Sequence, residues 1–237
     1  MNEHTVKRFD EELAGLKTKL AEMGGLAEEQ LARSIDAIVG HDVEAADNII
    51  LTDDKIDALE LEIEEKAVLI IAKRQPMALD LRQIMVSIRI ASDLERIGDL
   101  AKNIAKRTHA IPEDHPRRIM TGLARMGRLA LGQLKDVLDA YAERDEAKAL
   151  AVWRNDEEID ALYNSIFREL LTYMMEDPRT IGVCTHLLFG AKNIERIGDH
   201  ATNIAENIYY LVHGRPLKDE RPKKDITSST PITGLGC

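Results

Sequence analysis

Aromatic side chains make up only 4% of this chain, and its 237 residues include just seven prolines and fourteen glycines. Strands favour aromatic and β-branched residues and are joined by Gly/Pro-rich turns, so these shortages weigh against a β-rich fold. The only two cysteines, Cys184 and Cys237, cannot build a disulfide framework. Cys184 lies among apolar residues and reads as a small buried side chain. The longest apolar run, Ala67 to Ala72, is far short of the ~20 residues that cross a bilayer. The opening stretch MNEHTVKRFDEE has no apolar segment fit for secretion. A net charge of −10 denies the chain the basic surface that displaces counterions from nucleic acid. The expectation is a soluble, cytoplasmic protein with no nucleic-acid partner, peripheral to a membrane only through other proteins.

Catalytic patterns are missing too. There is no Gly-rich phosphate loop and no strand to feed one. No Glu-x-x-His occurs, so the usual histidine ligand of ferritin-like di-iron bundles is absent. The serines form no recognisable triad, Cys184 has no evident activating partner, and His109, His186 and His213 show no paired spacing. The chain is not expected to be an enzyme.

What is present is Ala, Leu, Ile, Glu and Lys, a mixture that favours helices, arranged as an internal repeat. At an offset of 103, residues 23–47 match 126–150 at ten of 25 positions, including Met23-Gly24 with Met126-Gly127, Gln30-Leu31 with Gln133-Leu134 and Asp42 with Asp145. Asp53 and Ile56-Asp57-Ala58-Leu59 then meet Asp156 and Ile159-Asp160-Ala161-Leu162. The offset slips to 100 by Glu95, and residues 91–105 match 191–205 at ten of 15 positions. Small slips between strong matches are what loop deletions leave after a duplication of about 100 residues; a solenoid would repeat every 20–50.

Each copy reads as three long helices. Leu13, Leu16, Leu20, Leu31, Ile35 and Ile38 recur at helical spacing, and Gly40-His41-Asp42 ends that run with Asp42 as an N-cap. A second helix carries Ile49, Ile56, Leu59, Ile63 and Val68 and stops near Gln75-Pro76. A third spans about Ala78 to His109, and Pro112 and Pro116 separate the copies. The second copy repeats the plan, with turns near Arg144-Asp145 and Asp177-Pro178. The expected fold is all-α: six long helices in two tandem three-helix bundles, residues 1–111 and 112–213, followed by a flexible tail over 214–237.

The candidate site lies in the repeat. Glu95 and Asp99 are one helical turn apart on one face, with Asn103 extending the line. Glu195, Asp199 and Asn203 restate it. Like charges at this spacing repel, and Gly98 and Gly198 each cost a helix about 1 kcal/mol against Ala. Both costs are kept in both copies, and a glycine there admits the close approach of another helix or a ligand. A second acidic line, Asp53, Asp57, Glu60 and Glu64, lies one helix earlier; its second copy keeps Asp156 and Asp160 but has Tyr163 and Phe167 in place of the glutamates. If consecutive helices pack together, the two lines converge, and hard oxygen donors so arranged suit Mg, Ca, Mn or iron. The plain alternative is that the acids pair with Arg96, Arg196 and Arg89 in a metal-free scaffold. A metal-dependent enzyme on a carboxylate-lined bundle is the other alternative. Phosphate binding through Lys102, Lys106 and Arg107 is disfavoured, because the second copy has Thr202, Glu206 and Asn207 there.

The duplicated Glu-Arg-Ile-Gly-Asp-x-x-x-Asn-Ile-Ala at 95–105 and 195–205, with Asp-x-x-Ile-Asp at 53–57 and 156–160, resembles the PhoU family of phosphate-signalling proteins. The resemblance covers roughly residues 5–213. It implies a cytoplasmic regulator of phosphate uptake, a homodimer, that links a phosphate ABC transporter to a sensor histidine kinase and restrains the phosphate-starvation response. It also implies multinuclear clusters of divalent or iron ions on the signature carboxylates. Carried over residue by residue, Glu95, Asp99, Glu195 and Asp199 are the first ligands, then Asp57 and Asp160, then Asp53 and Asp156. Asn103, Asn203, Arg96 and Arg196 would orient them.

Overall fold

A computed structural model describes the backbone of residues 3–112 and 117–218, and the side chains of 8–112 and 118–218. Among the described residues there is no strand. The helices are α1 (Glu3–Gly40), α2 (Val43–Thr52), α3 (Asp54–Arg74), α4 (Leu79–Arg107), α5 (Arg117–Glu143), α6 (Glu146–Glu176) and α7 (Ile181–His213), with single 3-10 turns at Thr108–Ala110 and Pro178–Thr180. The expected all-α fold, with one three-helix unit per repeat, is the one observed. Most of the expected tail, residues 219–237, lies outside the described residues.

The same turn chemistry is used in both copies. His41 and Arg144, equivalent at the repeat offset, take left-handed φ values of 54° and 56°. Each reversal lets the next amide close the helix end, Asp42 N to Ala37 O and Asp145 N to Ala140 O, both at 2.9 Å. The aspartates then start the next helix. Asp42 Oδ1 accepts from Ala45 N at 2.9 Å and Asp145 Oδ1 from Lys148 N at 3.1 Å. These bonds satisfy amides that a helix start leaves without partners.

One expected helix is broken. The second helix of the first repeat divides at Asp53, whose carbonyl accepts from Ile56 N at 2.9 Å in a tighter turn. Just before it, the Thr52 hydroxyl donates to the carbonyls of Asn48 and Ile49, at 2.9 and 3.3 Å, competing with the helix ladder. The equivalent stretch of the second copy runs unbroken through α6. Ile49, Ile56, Leu59 and Ile63 are buried as their spacing predicts, but Val68 is exposed on the outer face of α3.

The two copies do not stand apart. Helices α1, α4, α5 and α7 pack on one another across the repeat boundary, and the buried residues of both copies form one large continuous core. One pair of contacts across the boundary is reciprocal. A Cβ on Gly24 would lie 2.9 Å from Leu138, and one on Gly127 would lie 2.7 Å from Ile35. Residues 24 and 127 are equivalent, as are 35 and 138, so the duplication built one helix crossing from two copies of one contact. Polar links reinforce the seam: Ser87 Oγ lies 3.0 Å from Tyr141 Oη, and Arg144 donates to Gln83 Oε1 at 2.6 Å.

Candidate functional site

Both signature motifs lie on the third helix of their repeats, facing the second. In the first copy, α4 brings Glu95 and Asp99 to α3 and its preceding break at Asp53. The expected convergence of the two acidic lines is present. Partial desolvation first, and then the neighbouring Asp53, raises the pKa of Asp57. Burial also raises Glu95 and Glu60, each within the field of Asp57. Gly98 is where the helices touch, for a Cβ there would sit 3.0 Å from Ile56 and 3.7 Å from Asp53 Oδ1. The glycine therefore admits a neighbouring helix.

Asp53 is almost fully buried and the most heavily engaged of these acids. Gln30 of α1 donates Nε2 to Asp53 Oδ1 at 2.6 Å and to Gly98 O at 3.1 Å. The Lys102 ammonium hydrogen-bonds to Asp53 Oδ2 and lies 2.8 Å from Asp99 Oδ1. Burial works against that ammonium, but its bonds to Asp53 and Asp99 outweigh it and the lysine pKa rises. Arg96, more than half exposed, lies 3.3 Å from Glu95 and 3.8 Å from Asp99. Asp57 is exposed and Asn103 half-buried.

The second copy is the same frame, more deeply buried. Asp156, Asp160 and Glu195 are 2–3% exposed, and Asp199 is half-buried. Tyr163 and Phe167, in place of Glu60 and Glu64, set their rings 6.4 Å apart. Gly198 again admits the neighbouring helix, with Ile159 3.0 Å and Asp156 Oδ1 3.4 Å from where its Cβ would be. Burial pushes the Glu195 carboxyl up to about 7, opposed by Lys192, whose ammonium lies 2.9 Å away. Asp199 and Asp160 push in the same direction as burial. Thr202, at the place of Lys102, donates to Gly198 O at 3.0 Å and Asp156 Oδ1 at 3.3 Å. Arg196 is exposed.

The structure thus gathers Asp53, Asp57, Glu95 and Asp99 into one cluster and Asp156, Asp160, Glu195 and Asp199 into another. As they stand, no three His, Cys, Asp or Glu side chains among the described residues are arranged to hold a metal ion. Asn203 donates to Asp93 Oδ1 at 3.3 Å, on the opposite copy, so it serves the seam. The same Asp93 oxygen lies 2.9 Å from His200 Nδ1. Comparing the copies hides this contact, because Leu100 and Asn193 replace its members. Gln30 and Gln133 were visible as a repeated pair but carried no chemical signal until α1 was packed on α4. The basic run disperses: Lys102 turns inward, while Arg107 lies over the Phe189 ring at 4.9 Å.

The description "PhoU domain" fits this chain at residues 20–108 and 123–208. The chain is similar to the phosphate-specific transport system accessory protein PhoU homolog of Rhizobium meliloti, 58% identical over 95% of this chain and 96% of that protein. The homolog of Caulobacter vibrioides is 54% identical over 96% of this chain and 100% of its own length. The crystal structure of PhoU from Pseudomonas aeruginosa has the same fold, with a TM-score of 0.84 and 39% identity, covering 87% of this chain and 100% of that one. The phosphate transport system regulatory protein PhoU from Streptococcus pneumoniae superposes with a TM-score of 0.83 at 31% identity, covering 89% of this chain and 99% of that one.

Proposed function

This chain belongs to the PhoU family, and from that premise we propose that it is a regulatory accessory protein of a phosphate uptake system. It acts in the cytoplasm as a homodimer, links a phosphate ABC transporter to a sensor histidine kinase, and restrains the phosphate-starvation response while phosphate is plentiful. The observation that carries this reading is the near full-length identity, 58% and 54%, to relatives named as accessory proteins of phosphate transport. Among the described residues no helix is long and apolar enough to cross a membrane. Leu61, Val68 and Leu69 of α3, with Leu79, Leu81 and Met85 of α4, leave apolar side chains exposed, as suits a protein that works through contacts.

Metal binding is part of the proposal, and the two clusters fit it unequally. In the second copy the donors are hard oxygens, three of them on nearly buried carboxylates, and burying such charge calls for a cation. Asp156, Asp160, Glu195 and Asp199 would hold the ion after side-chain rearrangement. A divalent or iron ion there supplies positive charge that binds only the folded chain and so stabilises the bundle. Gly198 keeps α6 close to α7. Cations already face the acids in both copies, Lys102 and Arg96 in the first and Lys192 at Glu195 in the second, and a metal ion would have to displace them or sit beside them.

Deleting the gene tests the regulatory role. In phosphate-rich medium a starvation-responsive reporter should switch on, and the intact gene should silence it again. A reporter that stays silent in the deletion strain sinks the proposal.

A further inference from the structure

The Gly24–Leu138 and Gly127–Ile35 contacts are equivalent, yet the residues that accompany them differ between the copies. Lys17 and Tyr141 line a cleft of about 450 Å3 between α1 and α5. At the repeat offset of 103 their counterparts are Met120 and Ile38, both buried apolar residues. Gly25 also lines the cleft, and a Cβ there would meet nothing within 4 Å, whereas its counterpart is Arg128. Leu20, Ala21, Leu138 and Ala142 supply apolar surface beside the Tyr141 ring. Such a volume, walled by apolar groups with a few polar ones, is that of a small-molecule site.

The charges of the cleft are sorted along α1. Lys17 stands at one end and Glu28 three helical turns further on. Burial raises the Glu28 carboxyl, Lys135 opposes that rise and Asp139 adds to it. Asp139 itself pairs with Lys148 at 3.0 Å. At the other end partial desolvation first, and then the charge of Arg144, lowers the pKa of Lys17. Arg144 spends one bond on Gln83 Oε1. Among the described residues no acid pairs with Lys17 or Arg144. Two cations that repel each other with no acid between them, in a chain of net charge −10, make a place for an anion.

We propose that this cleft binds a small amphipathic monoanion, an aliphatic or aromatic monocarboxylate, with its carboxylate at Lys17 and Arg144 and its apolar body against Leu20, Leu138 and Tyr141. Glu28 and Asp139 at the far end repel a second negative charge, which selects against dicarboxylates. Inorganic phosphate would meet the cations but leave the apolar wall uncovered. The cleft shares no lining residue with either carboxylate cluster, so it stands apart from the metal reading.

The test is isothermal titration of the full-length chain with sodium octanoate, compared with octanol, acetate and inorganic phosphate. Octanoate should bind saturably with a Kd of about 1 mM or lower, the affinity that about ten non-hydrogen atoms give at ordinary ligand efficiency. Acetate and phosphate lack the apolar body and octanol lacks the charge, so all three should bind more weakly. Lys17→Met should weaken octanoate binding about three- to tenfold, and Lys17→Arg should keep most of it. Gly25→Leu should abolish binding by filling the cleft, yet melt no lower than wild type, because the position is helical and meets no neighbour. Octanoate that does not bind wild type, or that binds Lys17→Met and Gly25→Leu as it binds wild type, overturns the proposal. So does phosphate bound as tightly as octanoate, which would make this a site for a free oxyanion. A Gly25→Leu chain that changes oligomeric state on gel filtration, with no octanoate bound by wild type, would make the cleft a contact for a second copy and also overturns it.

Discussion

Replacing Gly127 by alanine should destabilise the protein although alanine is the better helix former. A Cβ at Gly127 would lie 2.7, 2.7 and 2.8 Å from Cδ1, Cγ1 and Cγ2 of Ile35. Favourable carbon contacts are about 3.5–4.0 Å, so the two helices overlap by nearly 1 Å. Two of the struck atoms are attached directly to the Ile35 Cβ, so rotation about the outer bond does not clear them, and Ile35 is 6% exposed. Overpacking of this kind costs about 1–3 kcal/mol, and the gain in helix propensity returns about 1. The net loss should be up to about 2 kcal/mol, or a melting point lower by up to about 8 °C for a chain of this size. Gly25 and Gly132 are the controls, because a Cβ at either meets nothing within 4 Å. Gly25→Ala and Gly132→Ala should each raise stability by about 0.5–1 kcal/mol. Thermal melts followed by circular dichroism separate the cases. In the Gly127→Ala background, Ile35→Val should cost less than it does alone. A Gly127→Ala protein as stable as Gly132→Ala would refute the close crossing of α1 and α5.

Other outcomes follow from the site and the turns. Glu195 has a folded pKa of about 7 against an ordinary 4.5, so the folded state binds its proton more tightly than the unfolded state does. Its contribution to stability is therefore complete below about pH 4.5 and is lost as pH rises through 7, by about 3 kcal/mol in total. Urea unfolding in chelator should show this loss in wild type and not in Glu195→Gln; a constant difference between the two across that range would remove the burial argument. Asp42→Ala and Asp145→Ala should each cost about 1 kcal/mol, and nearly additively, because the caps sit in different copies. Denaturant midpoints for the single and double variants check it.

The architecture was readable because its signals are local. Helical periodicity, the Asp42 and Asp145 caps and the prolines near the boundary act within a few residues of themselves, and the duplication supplies each signal twice. The signature carboxylates were readable for the same reason. What lay beyond reach depends on which helices become neighbours. Val68 fits the helical stripe yet faces outward. The break at Asp53 is a contest between a threonine hydroxyl and the helix ladder, absent from the second copy. Lys102 was visible only as part of a basic run, and its role appears once α3 and α4 bring Asp53 and Asp99 to its ammonium. His200 and Asp93 differ between the copies, so the repeat gives them no signal. That difference is itself the reason they can join one copy to the other.

The central claim is that the second-copy carboxylates form a metal site, and metal analysis of the protein purified without chelator tests it most directly. Wild type should carry a divalent or iron ion, and Glu195→Ala/Asp199→Ala should lose it while still folding. A wild-type protein free of metal, or a double variant with unchanged metal content, would contradict the account.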